Sequence, residues 1–176
     1  MSCTIYLLRH GIAAPASRGT NDSQRSLTAE GARRMARGAQ GLKRLGIVPD
    51  VVLSSPLSRA QETAEIVARA LAPDLQVQIY PALAPGHAPT EVLSGLRAHA
   101  EATHLVLVGH QPDLGALASH LLTGSSGVAP LPFKKGGVAA FAVAVLPPRR
   151  HAVLKWFLTP KQLRAIGRRR ATPRAR

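Results

Sequence analysis

Three short apolar runs, Ile5-Tyr6-Leu7-Leu8, Val51-Val52-Leu53 and Leu105-Val106-Leu107-Val108, are separated by long stretches of helical periodicity. That alternation constrains the fold more than any other feature of the chain. Near-continuous apolar runs mark strands buried on both faces, as in a parallel sheet. Parallel neighbours need a crossover of a dozen or more residues, usually a helix. The pattern therefore predicts a three-layer α/β/α sandwich around a mostly parallel central sheet. In such sheets ligands lie in the crevice beyond the carboxyl ends of the strands. Arg9-His10-Gly11 follows the first run, Arg59 follows the second and Gly109-His110 follows the third. Two His and two Arg from about a hundred positions of chain are thereby expected to converge on one anion.

The remaining elements follow from the same patterns. Strands are expected at residues 4–8, 50–54, 76–80 (weaker) and 104–108. A helix should start at Thr28, the expected N-cap, carry Ala32, Met35, Ala36, Ala39, Leu42 and Leu45 at helical spacing, and stop at Gly46. Further helices are expected at 56–72, at 90–100 with Thr90 as N-cap, and at 112–122 with Pro112 near its first turn. Residues 137–146 and 152–157 read as two strands. Their Pro147-Pro148-Arg149-Arg150 joint is too short for a crossover, which places an antiparallel strand near the C-terminal end of the sheet. Residues 1–158 form one domain in this reading, and residues 159–176 a flexible basic tail.

Composition narrows the function class. Apolar residues make up 45% of the 176, enough for a globular body. The single cysteine, Cys3, has no partner for an internal disulfide, which fits a reducing compartment. The N-terminus leads directly into a strand rather than a signal-like segment, and no apolar run approaches a membrane span. A cytoplasmic location is the expectation. The formal charge is +14, and seven Lys or Arg without any acidic residue lie between Lys161 and Arg176. Such a run reads either as a solvated terminus or as an arm for an acidic partner. With three Phe, two Tyr and one Trp in the chain, stacking platforms for single-stranded nucleic acid are few, and nucleic acid is not the expected partner.

The chemistry open to these residues is specific. A neutral imidazole is a nucleophile that forms covalent intermediates. Arginine presents a planar fork of donors that matches phosphate oxygens, and glycine allows close backbone approach. His10 flanked by Arg9 and Gly11, with Arg59 and His110 nearby, suits in-line phosphoryl transfer to a histidine nitrogen among fixed cations. The scheme calls for no metal and no cofactor.

Three blocks then resemble a known group. Leu8-Arg9-His10-Gly11, Ser54-Ser55-Pro56-Leu57-Ser58-Arg59-Ala60-Gln61-Glu62-Thr63-Ala64 and Val108-Gly109-His110-Gln111-Pro112 look like the signature blocks of the histidine phosphatase superfamily, with its phosphoglycerate-mutase-like fold. Arg25-Ser26-Leu27-Thr28-Ala29-Glu30-Gly31 looks like the loop and helix start after the first block. The short chain and Leu83-Ala84-Pro85-Gly86 look most like the SixA-type phosphohistidine phosphatases. The resemblance implies His10 as the phosphate-accepting nucleophile, with Arg9, Arg59, His110 and Gly11 in the phosphate pocket. It implies a phosphohistidine-bearing protein as substrate, such as a histidine phosphotransfer domain or a phosphocarrier. Many members place an acidic proton donor shortly after the third strand. Here Tyr80-Pro81-Ala82-Leu83-Ala84-Pro85 holds no carboxylate, which favours a labile phosphoramidate over a phosphomonoester.

Plainer readings stand beside these. Arg59 can pair within its own helix with Glu62 or Glu65. His10 can be a structural histidine at a strand end, and His110 with His10 can suggest a metal site, although no Cys or carboxylate lies at ligand spacing. Arg18, Arg25, Lys134 and Lys135 are rim candidates for docking an acidic protein face, or ordinary exposed charges. Asp113 can support a helix N-terminus or take part in proton transfer. A small-molecule phosphomonoesterase on the same scaffold, and a non-catalytic module binding a phosphorylated partner or nucleic acid, remain alternative functions.

Overall fold

Along β1 (Cys3–Arg9), Ile5 and Leu7 enter one apolar cluster while Tyr6 and Leu8 enter another. Leu105 and Leu107 of β4 (His104–Gly109) join the first, and Val106 and Val108 the second. Alternate side chains of a strand point to opposite faces, so a strand apolar at every position must be covered on both. That requirement gives the three layers. A computed structural model of the chain describes residues 2–16 and 21–168.

The sheet order is β3-β2-β4-β1-β5-β6, with β2 at Val51–Ser54, β3 at Val77–Ile79, β5 at Val138–Val143 and β6 at Val153–Leu158. The first four strands are mutually parallel. β5 runs antiparallel to β1, and β6 antiparallel to β5 across a bulge at Ala140/Phe141. The hairpin and the antiparallel strand stand as the short joint required. One face is covered by α3 (Pro89–Gly95) and α4 (Asp113–Thr123) through Val92, Leu93, Leu114 and Leu117. The other is covered by α1 (Ala29–Arg44) and α2 (Ser58–Leu71) through Met35, Ala39, Leu42, Ala60, Ala64 and Val67. Thr28 caps α1, its hydroxyl accepting from the Gly31 N–H at 2.9 Å, a contact typically worth about 1 kcal/mol. Among the described residues no helix is long and apolar enough to cross a membrane.

Two expectations need correction. The helix expected from Thr90 to residue 100 starts two residues earlier: α3 has Ala88 as N-cap and Pro89 in its first turn, and yields to a 3₁₀ segment at Leu96–His99. Proline at the first helical position has no N–H to leave unpaired, which sets that start. The domain also does not end at residue 158. Residues 160–166 form α5 (Pro160–Ile166), closed by a capping box between Thr159 and Gln162. Its Leu163 is buried against α1, where a Cβ at Gly41 would collide with the Leu163 carbonyl oxygen. Arg44 of α1 donates to the Ile166 carbonyl at 3.0 Å and so satisfies the end of α5. Of the expected tail, residues 169–176 lie outside the described residues.

Candidate active site

The four residues singled out above meet at the carboxyl end of the parallel strands. β1 ends at Arg9, and the His10 N–H bonds to the Gly109 carbonyl at 3.1 Å, so the ends of β1 and β4 are stitched together. The His10 and His110 rings then face each other with centroids 5.0 Å apart. Arg59 stands in the first turn of α2, directly after β2. The Thr63 hydroxyl donates to the Arg59 carbonyl at 2.6 Å and accepts from the Gly11 N–H at 3.0 Å, tying α2 to the Arg-His-Gly turn. His10, Arg59 and His110 are buried, and Arg9 is half-buried.

Hydrogen bonding fixes the state of His10. Its Nδ1 lies 2.7 Å from the Gly11 carbonyl oxygen, which can only accept. Nδ1 therefore carries the ring proton, and Nε2 keeps a free lone pair. Burial depresses the His10 pKa to about 3, partly opposed by the bond to Gly11 and reinforced by the positive charges around it, Arg59 and Arg9 among them. His110 is depressed to about 4 by burial first and by Arg59 next. Both imidazoles are neutral near pH 7.

The cations are held rather than free. Arg9 donates from Nη1 to the Phe133 carbonyl at 2.6 Å, and burial lowers its pKa. Arg59 donates from Nη1 to the Asp22 backbone carbonyl at 2.7 Å and from Nη2 to the Asp22 carboxylate at 2.9 Å. The His110 Nε2 lies 2.8 Å from the Ser55 hydroxyl, which itself accepts from the Leu57 N–H at 3.3 Å. The Ser55 hydroxyl can donate to Nε2 or accept from it, so either ring nitrogen of His110 can carry the proton. The His110 Nδ1 and the Arg9 Nε are buried and make no hydrogen bond among the described residues. Buried polar atoms without partners are rare in folded proteins. Two at one site, beside an unprotonated Nε2 and two guanidinium groups, make an arrangement suited to a tetrahedral oxyanion within reach of a nucleophile.

Arg59 does not pair with Glu62 or Glu65. Glu62 accepts from the Leu27 N–H at 2.7 Å and anchors the entry to α1, while Asp22 takes the guanidinium. Asp22, Ser55 and Thr63 were not singled out in the sequence. Ser55 and Thr63 lie inside the recognised second block, and Thr63 at i+4 from Arg59 was a readable signal. Asp22 reaches Arg59 across 37 residues, a contact no local pattern encodes. Of the rim candidates, Arg25 is built into the loop, donating to the Ala14 carbonyl at 2.9 Å and to Asp22 at 2.6 Å. Lys134 and Lys135 are exposed beside Gly136, whose N–H bonds to the Arg9 and His10 carbonyls at 3.0 and 3.1 Å. Arg18 lies outside the described residues. Asp113 accepts from the Gly86 N–H at 3.0 Å and pins the loop after β3.

Residues 5–85 match the model of the histidine phosphatase superfamily, branch 1. An uncharacterised protein of Picosynechococcus sp. is 38% identical over 164 residues, covering 90% of this chain and 98% of its own length. The solved structure of the protein histidine phosphatase SixA, complexed with tungstate, is similar with a TM-score of 0.79 at 26% identity, over 91% of this chain and 99% of that one. A mycobacterial glucosyl-3-phosphoglycerate phosphatase shares the fold at a TM-score of 0.69 and 16% identity, over 90% of this chain and 100% of that one. The blocks around His10, Arg59 and His110, the sheet that gathers them and these likenesses lead to one assignment: the chain belongs to the histidine phosphatase superfamily, has its phosphoglycerate-mutase-like fold in a SixA-like form, and is of phosphatase type.

Proposed function

We propose that this chain is a protein-phosphohistidine phosphatase that works through a phosphorylated His10, without a metal or other cofactor. The observation that carries the reading is the locked tautomer of His10: Nδ1–H on the Gly11 carbonyl, Nε2 unprotonated, beside buried nitrogens of Arg9 and His110 that have no partner among the described residues. In the first step the Nε2 lone pair attacks phosphorus and the substrate P–N bond breaks. A phosphohistidine ring protonated at its other nitrogen leaves as neutral imidazole, taking the P–N electron pair and needing no further proton. Arg9, Arg59 and His110 hold the equatorial oxygens as charge shifts. Water then attacks the phospho-His10 phosphorus, Nε2 recovers its lone pair, and the proton of the water goes to the phosphate product.

The carboxylates near the pocket support this substrate class. A poor alkoxide leaving group needs a neutral acid within reach. Asp22 is instead held below the usual carboxylate range, first by Arg25 and then by Arg59. Asp113, at the start of α4, is engaged by the Gly86 backbone N–H at 3.0 Å and pins the loop after β3. Tungstate bound to the related SixA is a tetrahedral oxyanion of the kind this pocket suits.

The test is phosphate release by the chain and by His10→Ala from a phosphohistidine protein and, separately, from a generic phosphomonoester. Release from the phosphohistidine protein should dominate and fall at least about 10⁴-fold in the variant. Faster release from the monoester would replace this reading with a small-molecule phosphatase, and release from neither would favour a binding module.

A further inference from the structure

A groove of about 200 Å³ opens beside the candidate active site, between α1, α5 and the turn that precedes β5. Gly11 lines one end of it, so the groove begins at the residue after the nucleophile. Its walls carry Arg34 from α1, Lys134 and Lys135 from the turn, and Lys161 and Arg164 from α5. Glu30 is taken by Arg33 and Arg34. Among the described residues, Lys134, Lys135, Lys161 and Arg164 pair with no carboxylate. Met35, Pro160 and glycine backbone give it an apolar lining between the cations. Among the described residues no aromatic side chain lines it.

We infer that this groove docks an acidic peptide segment, on the protein that presents its phosphohistidine to His10. The inference rests on the phosphohistidine reading above for the identity of that protein, and on the groove itself for the chemistry. Unpaired cations from two elements, Lys134 and Lys135 of the turn and Lys161 and Arg164 of α5, suit an extended row of carboxylates better than a single small anion. An open trough without a stacking surface offers nothing to nucleic acid bases. Its apolar lining accepts the stems of Glu and Asp side chains. The helix that supplies one wall, α5, is fixed to α1 through Leu163, so Lys161 and Arg164 are presented from a set position rather than from a loose terminus.

Binding of a fluorescein-labelled oligo-glutamate peptide, free of phosphohistidine, tests the groove by anisotropy at low salt. Lys161→Glu with Arg164→Glu should weaken it by about tenfold or more. Arg149→Glu with Arg150→Glu makes the same change in net charge in the β5–β6 connection, at the opposite end of the sheet, and should leave it within about twofold. Equal losses from the two pairs would reduce the effect to the overall charge and overturn the inference. So would no loss, or stronger competition by oligothymidylate of matched charge. Lys134→Glu with Lys135→Glu repeats the test should the α5 pair lower the melting temperature. Two phosphohistidine peptides, one flanked by Glu and one by Gln, then separate the two readings. Preferential hydrolysis of the Glu peptide, lost in the Lys161/Arg164 variant, supports docking. Equal hydrolysis of both overturns docking and leaves the phosphatase reading standing. Hydrolysis of neither, with oligo-glutamate binding still lost in the variant, overturns the phosphohistidine reading and keeps the groove as an acidic-peptide site.

Discussion

The cations on the two sides of the Arg-His-Gly turn are built in opposite ways. Arg9 and Arg59 are half-buried or buried, and backbone carbonyls and Asp22 fix their orientation before any ligand arrives. Lys134, Lys135 and Lys161 are exposed and make no ion pair among the described residues. A preorganised donor in a water-poor site costs little reorganisation when charge develops. An exposed lysine is screened by salt and must be ordered on binding. The first set is suited to chemistry on one phosphoryl group and the second to recruiting a partner by charge. On the proposed readings the same residue types serve two purposes, and the surrounding structure, more than the net charge of +14, decides which.

Arg59→Ala is the largest test of that contrast. Removing a buried, oriented donor from a developing charge typically costs about 10²–10³ in kcat. The loss should appear equally on a phosphohistidine protein and on a small phosphoramidate, because both place phosphorus against the same guanidinium. A loss confined to the protein substrate would put Arg59 among the docking cations and erase the distinction.

Asp22 sharpens it by a smaller amount. Its carboxylate accepts from Arg59 and from Arg25, at 2.9 and 2.6 Å, and so orients the buried cation without facing phosphorus itself. Asp22→Ala should lower kcat/KM by about tenfold through misplacement of the guanidinium. Asp22→Asn should retain most of the activity, because an amide oxygen accepts the same bond. If Asn behaves as Ala does, Asp22 acts through its charge and not as a positioning residue. An equal fall in melting temperature with unchanged kinetics would make its role purely structural.

How much of this was readable beforehand depended on the range of the interactions. The strands carrying Arg9 and His110 were legible because a run apolar on both faces has few other places in a fold. The α1 start was legible because Thr28 and Gly31 make a local, three-residue cap. The α5 helix was equally local, with Thr159 three residues before Gln162 and Pro160 at the first turn. It was misread as tail because the basic charge from Lys161 onward outweighed Leu163, the one side chain that buries the segment. The consequence reaches the basic groove, since α5 forms one of its walls. The site shows the same limit: Arg59 is readable from its block, but local spacing offers only the near neighbours Glu62 and Glu65 as alternative partners. Its actual partner, Asp22, is brought in by the tertiary fold.

The mildest perturbation, silent at neutral pH, is acidification, and it separates the two regions through their titration. His10 and His110 have pKa values near 3 and 4 in the folded chain, against about 6.5 when unfolded. Between these values the unfolded chain binds more protons than the folded one, so stability rises with pH in that window. The contribution is complete above about pH 6.5 and is lost as pH falls toward the folded values, by up to about 1.4 kcal/mol per pH unit for each histidine. Urea unfolding should therefore give a constant free energy from pH 8 to about 6.5 and a declining one below. His10→Gln, which keeps a polar side chain without a titrating ring, should remove close to half of that slope. Lys161→Glu with Arg164→Glu should leave the slope as it is, since these groove cations are at the rim and touch neither histidine. A slope unchanged by His10→Gln would mean that the ring is protonated in the folded chain at mildly acidic pH. The unprotonated Nε2 that the chemistry requires would then be confined to higher pH, and kcat/KM for a small phosphoramidate would fall below about pH 6.5 instead of holding level.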